Sequence, residues 1–382
     1  MSTLAPIDLR RSGLAVATLF FVNGMTFSNW IPRIPEVRDR LGLDNAGLGA
    51  TLLGGGLGGL VGSLCVAKII GRFGTRRALI AAASLLALAL PLIAVAPSAA
   101  VLLVVLSLLG FLDVINDMAM NSQGVMVEQR VGRSIINRLH GTWSLGFTVG
   151  TLLGLLASAT RLGVGAHLTI LAVVLLVTVA AASRHLLATD DVAADLPGGR
   201  TPLSAGIVAM AVLAVGVSFI EIVPNDWASV LLRDVFDAGR WSGSANVAFA
   251  GAMLVGRMGG DHVLDRIGRT RMLNLAVATA AVGAAIVVVS PFTVLAVAGF
   301  ACWGLGVSVL FPQLYAMAAT QPGLSAGAGL GAMGVGQRLG FMLAPLCVGA
   351  ITGVSTLRIA IGVLTAVAVA IIVTTQRPPR TH

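Results

Sequence analysis

The sequence predicts an all-α polytopic membrane protein. Twelve transmembrane helices form two six-helix halves related by pseudo-two-fold symmetry, with both termini cytoplasmic. Three observations carry this reading: scarce charge, a regular recurrence of apolar stretches long enough to cross a bilayer, and an internal repeat. Only 11% of the 382 residues are charged, against about 25% in an ordinary soluble chain. Hydrophobic residues make up 57% and the mean hydropathy is +0.94, which leaves too little polar surface to coat a water-soluble body. Soluble enzymes and disordered chains are thereby excluded.

A bilayer core about 30 Å thick needs roughly 20 apolar residues of helix. Cutting the chain at its charge clusters and Pro/Gly breaks gives spans at 12–31, 46–67, 78–95, 99–123, 139–160, 163–183, 204–227, 242–260, 272–289, 292–314, 326–349 and 354–375. Arg10-Arg11 followed by the apolar run Gly13 to Ile31 imitates a signal peptide, but no A-x-A site follows it, and it reads as the first span. With the N-terminus inside, 16 Lys/Arg fall on one side and seven on the other, with Arg257 and Arg338 inside spans. The positive-inside rule then puts both termini in the cytoplasm. The expected setting is the plasma (inner) membrane of a bacterium, as a multi-pass monomer in contact with the lipid bilayer.

The net charge of +9 rests on arginines and one lysine, Lys68, in short clusters between spans. No continuous basic face is available to nucleic acid. Cys65, Cys302 and Cys347 lie singly in apolar stretches and read as core, with no CxxC or Cys/His cluster. Neither a metal nor a cofactor is expected.

The longest polar connection, Arg184 to Pro202, follows the sixth span. It divides the chain into an N-terminal half (1–183), a cytoplasmic linker (184–203) and a C-terminal half (204–382). The halves repeat: Asn29-Trp30 answers Asp226-Trp227, and Arg72-Phe73-Gly74 answers Arg266-Ile267-Gly268, at offsets of 197 and 194 residues. Parallel six-plus-six repeats are a transporter architecture with the substrate site between the halves.

Span four carries Asp113, Asn116, Asp117, Asn121 and Gln123 in an otherwise apolar stretch. On a helical wheel all lie within about 80° of Asp113. A carboxylate near the bilayer centre costs at least about 2.5 kcal/mol, so two on one stripe must face a cavity or a partner. The alternative for Asp117 is a pair with Arg138 or a helix cap. Span seven runs uncharged from Ser204 to Glu221, then meets Pro224, Asn225, Asp226 and Trp227. Proline breaks the helix, so Glu221 and Asn225 are predicted to contribute to a ligand site, with an interdomain ion pair as the alternative for Glu221. Asp226 reads either as part of an outer gate or as simple interfacial solvation. Trp30, Trp227 and Trp303 could stack on a ligand or anchor the chain at the headgroups.

Arg338, beside Gln337 in span eleven, lies far from both interfaces and needs an anion or a polar cavity. Substrate binding and a salt bridge to a span-four carboxylate are both open. Arg257 is predicted to snorkel or to pair with Asp261. Glycines cluster on spans two (Gly54 to Gly62), five (Gly146, Gly150, Gly154) and eleven (Gly327 to Gly340), a spacing that lets helix backbones approach.

Asp265-Arg266-Ile267-Gly268-Arg269-Thr270-Arg271 resembles the D-R-x-G-R-[RK] loop signature of the major facilitator superfamily, at the place where that family repeats it. The first-half copy, Gly71-Arg72-Phe73-Gly74-Thr75-Arg76-Arg77, departs from it: glycine replaces the acidic residue. The resemblance implies a conformational lock formed by Asp265, Arg266, Gly268 and Arg269 with Arg72 and Gly74. It also implies that spans one, four, seven and ten line the cavity, the spans that carry Asn23, the Asp113 stripe, Glu221 with Asn225, and Trp303 with Gln313. The glycine-rich helices would lie between the halves.

Asn29-Trp30-Ile31-Pro32-Arg33-Ile34-Pro35, His140-Gly141-Thr142-Trp143-Ser144-Leu145-Gly146, and Glu221 through Trp227 followed by Gly256-Arg257 resemble the branch containing YbjJ and MosC, itself related to the fucose permeases. This implies a carrier of a small polar solute, sugar-like or cyclitol-like, working by alternating access with proton symport. Proton-driven efflux is the alternative, although the G-P pair of many drug antiporters is missing from span five. A membrane enzyme is disfavoured because His140, His167 and His262 are isolated and no H-E-x-x-H occurs. A non-transporting membrane sensor is the alternative from a different class.

Overall fold

A computed structural model describes residues 6–188, 204–321 and 324–375. Most of the predicted linker, 189–203 with its three aspartates, lies outside the described residues, as do Arg377 and Arg380. The described chain forms thirteen α-helices: α1 (Pro6–Ser28), α2 (Ile34–Arg40), α3 (Asn45–Val95), α4 (Ala99–Val131), α5 (Ile136–Ala159), α6 (Val164–Ser183), α7 (Ala205–Phe236), α8 (Ser244–Ile267), α9 (Arg269–Val289), α10 (Thr293–Val307), α11 (Leu310–Ala319), α12 (Ala326–Thr352) and α13 (Leu357–Thr375). No strand occurs among the described residues.

Every predicted span overlaps one of these helices, but the divisions differ. Among the described residues, ten helical stretches are long and apolar enough to cross a membrane. Spans two and three are joined in the 51-residue α3, and α8, which carries Arg257, Asp265 and Arg266, is not among the ten. Inside α3 the helical path is interrupted at Gly74, with φ 77° and ψ 160°. Gly268, between α8 and α9, has φ 76° and ψ 162°. A side chain is strained at such positive φ, so the two glycines of the repeated Arg-x-Gly segment make the same turn in each half of the sequence.

Span ten is likewise two elements. The helix stops at Ser308–Val309 and restarts with Pro312 in the first turn of α11. Unpaired backbone at this depth must be satisfied within the protein, and the Ser308 carbonyl accepts from Arg257 Nε at 3.3 Å.

Span seven corrects a prediction. Pro224 was expected to end the helix, yet α7 continues through it to Phe236. Proline lacks the N–H that would bond the carbonyl four residues back, here that of Ile220. Trp303 Nε1 donates to the Ile220 carbonyl at 3.0 Å, and Asn246 Nδ2 donates to the Asn225 carbonyl at 2.8 Å. Neighbouring helices therefore supply the bonds that keep α7 whole.

The helices before and after the linker meet along two seams, α3 with α12 and α5 with α8. Contact is graded along the first. A Cβ placed on Gly49 would lie 2.5 Å from the Pro345 carbonyl oxygen, and one on Gly56 2.6 Å from Met342 Cα. On Gly59 its nearest neighbour would be Arg338 Nη1, at 3.3 Å, and on Gly71 nothing lies within 4 Å. The end of the molecule that holds α2 and the α7–α8 turn is thus shut, and the end that holds Gly74 and Gly268 is splayed.

The shut end is also bridged by polar contacts. Ser229 Oγ donates to the Ile31 carbonyl at 3.3 Å and Arg240 Nη1 to the Ala159 carbonyl at 3.2 Å. Arg38 pairs with Asp234, and Arg233 Nη2 lies 2.6 Å from Asp39 Oδ2. Arg38-Asp39 and Arg233-Asp234 are separated by 195 residues, the spacing of the internal repeat, so a duplicated Arg-Asp pair forms two reciprocal bridges. Behind them a buried Arg33 binds Glu36 at 2.7 Å and the Leu162 carbonyl at 2.7 Å, and holds the Pro32–Pro35 segment in place.

Candidate functional site: a polar cleft between the two groups of helices

Midway between the shut and splayed ends, charged side chains face one another across the junction. On the N-terminal side, Asp113 and Asp117 stand one turn apart on α4, both half-buried. Asn23 of α1 donates Nδ2–H to Asp113 Oδ1 at 3.0 Å and accepts from Trp143 Nε1 at 2.7 Å. Asn121 donates to Asp117 Oδ1 at 3.0 Å. Two members of the predicted stripe leave the cleft. Asn116 is buried with its Oδ1 unpaired. Gln123 is fully buried, and it binds Thr75 Oγ1 and both backbone groups of Leu187.

On the C-terminal side, Glu221 of α7 faces Arg257 of α8, with Oε1 at 4.0 Å from Nη2. Arg257 was predicted to snorkel or to pair with Asp261, whose side chain lies outside the described residues. It turns into the junction, donates Nη1–H to Ser144 Oγ at 2.8 Å, and lies 5.7 Å from the centroid of the Trp143 ring. The break after α10 explains the turn, because the free Ser308 carbonyl gives the guanidinium an acceptor inside the protein. The second carboxylate oxygen of Glu221, Oε2, is buried without a partner. A buried unsatisfied polar group costs about 1–3 kcal/mol, which marks that oxygen as a place where a ligand donor would be stabilised.

Arg338 of α12 lies against Gly59 of α3, and its charge acts on both Asp113 and Asp117. Among the described residues it makes no hydrogen bond or ion pair, so the direct salt bridge considered for it is not formed here. Its neighbour Gln337 accepts from the Tyr315 hydroxyl at 2.8 Å. Tyr315 in turn lies within electrostatic reach of Asp117, Arg338 and Glu221. Tyr315 thus links, through its field, residues flagged on spans four, seven and eleven.

The remaining predicted residues lie elsewhere. Asn225 bonds the Glu221 carbonyl at 2.7 Å and supports α7. Trp303 is fully buried against Phe300 and bound to Ile220, which leaves no face for a ligand to stack on in this conformation. Trp30 and Trp227 are buried, and Trp227 Nε1 has no partner. Asp226 is half-buried beside them and forms no hydrogen bond among the described residues. Asp265 and Arg266 are exposed at the splayed end and form no hydrogen bond or ion pair among the described residues. Arg72 lies over the Phe73 ring, and Arg269 Nε binds Gln313 Oε1 at 3.1 Å.

Sequence reasoning missed Trp143, Ser144 and Tyr315, and misdirected Arg257. Tyr315 carried a signal, being the single tyrosine of the chain. For Arg257 the signal was indirect: Pro312 lacks the N–H that would bond the Ser308 carbonyl four residues back, but which side chain takes that carbonyl depends on packing.

The sequence matches the Major Facilitator Superfamily over residues 16–345. It is 29% identical over 346 residues to an uncharacterised MFS-type transporter of Yersinia pestis, covering 90% of this chain and 89% of the relative. It is 30% identical over 344 residues to the membrane protein MosC of Rhizobium meliloti, covering 88% and 83%. Among solved structures, a point mutant of the nucleoside transporter NupG superimposes with a TM-score of 0.79 at 13% identity, covering 95% of this chain and 98% of that one. NupG itself gives a TM-score of 0.75 at the same identity and coverage. At that identity the likeness speaks for the fold alone. The chain belongs to the Major Facilitator Superfamily and is a membrane transporter, not an enzyme.

Proposed function

We propose that this transporter is a secondary carrier that moves a small, hydroxyl-rich polar solute by alternating access, coupled to protons through Asp113 and Asp117. The observation that carries the reading is the set of unmatched charges across the junction: two carboxylates on α4 facing an unbonded Arg338, and Glu221 with a free oxygen beside Arg257. A hydroxyl both donates and accepts, so a polyol such as a sugar or cyclitol could use guanidinium donors and carboxylate acceptors together. Two six-helix halves, 1–183 and 204–382, would rock about this site as a monomer with both termini in the cytoplasm of a bacterium. On that orientation the protein is closed to the outside and open to the inside, and Trp30, Asp226 and Trp227 lie behind the closed outer gate.

Proton coupling is tested in proteoliposomes with a panel of radiolabelled sugars and cyclitols. Asp113→Asn and Asp117→Asn should abolish accumulation driven by a pH gradient while solute exchange persists. Accumulation at parental level in both variants would remove the carboxylates from coupling.

A further inference from the structure

Outside the central cleft, a cavity of about 310 Å³ opens between α1 and α6 at the splayed end of the molecule. Leu14, Ala15, Ala181 and Ala182 form its apolar wall, and Arg11 and His185 stand at its rim. Thr18 and Thr178 also line it, but their hydroxyls are committed to the carbonyls of Leu14 and Val174, at 2.9 and 2.8 Å. The side chains of Arg11 and His185 make no hydrogen bond or ion pair among the described residues. We infer that this cleft seats an anionic phospholipid, with its phosphate on Arg11 and His185 and its first methylenes along Leu14 and Ala181.

Three features favour a lipid over a soluble ligand. Leu14 is 71% exposed, and Val177 on the same flank of α6 is 65% exposed, which in a membrane protein means contact with acyl chains. The two basic groups sit where the apolar runs of α1 and α6 end, at headgroup depth. The charge is also concentrated: Arg10 and Arg184 are exposed beside the pair, and Arg76 reaches from α3 to the Ser183 carbonyl at 3.2 Å. That last bond offsets the negative end of the α6 dipole, which would otherwise repel a phosphate. Basic pockets between helices at a membrane surface are recognised by anionic headgroups. A guanidinium and an imidazole N–H together offer a phosphate more than one charge-assisted hydrogen bond.

The test is native mass spectrometry of the full chain released from detergent after incubation with dioleoyl phosphatidylglycerol, dioleoyl phosphatidylcholine or inorganic phosphate. The parent should retain phosphatidylglycerol, and the Arg11→Gln/His185→Gln variant should bind it about tenfold more weakly, as loss of a hydrogen bond to a charged group implies. Ala181→Trp, which fills the cleft and keeps both basic groups, should also lose the lipid and guards against misfolding of the double variant. Equal retention by the parent and both variants would overturn the site. Equal retention of phosphatidylcholine would overturn its selectivity for anionic lipid, and retention of inorganic phosphate in place of lipid would overturn the assignment of the occupant.

Discussion

The two ends of the α3–α12 seam are built from the same residue type and behave in opposite ways. At Gly49 and Gly56 the opposing backbone is so near that an added methyl would overlap it, whereas at Gly71 a methyl would meet empty space. The shut end adds the reciprocal Arg38–Asp234 and Arg233–Asp39 bridges, while Asp265 and Arg266 at the other end are exposed. The difference teaches that glycine permits close approach but does not enforce it. What joins the helices is the polar clasp and the apolar contact beneath it.

The largest effect is expected from the seam itself. Gly56→Leu would place a side chain into Met342 and keep the shut end from closing, so transport should fall by more than about tenfold, as overpacking of 1–3 kcal/mol or more implies. Gly71→Leu, at the splayed end, should leave the fold and the shut end intact. Flux of both variants, with cysteine labelling at Ser229, tests the contrast, and equal flux in the two would erase it.

A smaller effect is expected from the clasp. Arg38→Asp places a third carboxylate beside Asp234 and Asp39 and should open the shut end several-fold, since partly exposed pairs are worth about 0.2–1 kcal/mol each. Combining it with Asp234→Arg should restore the parental labelling pattern if the two residues act as a pair. Failure of the double variant to recover would show that the bridges follow closure and do not hold it.

The smallest shift is expected from Asp265→Asn. Asp265 has no partner among the described residues, so the substitution acts on the alternate state, in which the splayed end must close. Labelling of cysteines introduced at that end of α4 and α11 should rise by about two- to threefold, the scale of a surface charge contact. A labelling pattern matching the parent would make the loop a topology element alone.

The α4 carboxylates were legible in the sequence because uncompensated charge in an apolar run has few physical explanations. Glu221 was legible for the same reason. Trp303 was not, because an indole in an apolar stretch looks the same whether it faces a ligand or a carbonyl freed by a distant proline. Its bond to Ile220 exists only because Pro224 removed an N–H from a different helix. Arg257 failed likewise, being drawn to the Ser308 carbonyl, which Pro312, on a different helix, leaves without a backbone donor.

From the sequence alone came the membrane setting, the apolar spans, the repeat near 195 residues and the identity of the carboxylates that must avoid lipid. These depend on composition and period, which are local and survive any arrangement of the helices. The tertiary structure alone decided which end is shut, which arginine meets which acid, and that α7 runs unbroken through Pro224. Each of those depends on a partner brought from another helix, by contacts whose energies are a few kcal/mol and whose geometry no stretch of sequence contains.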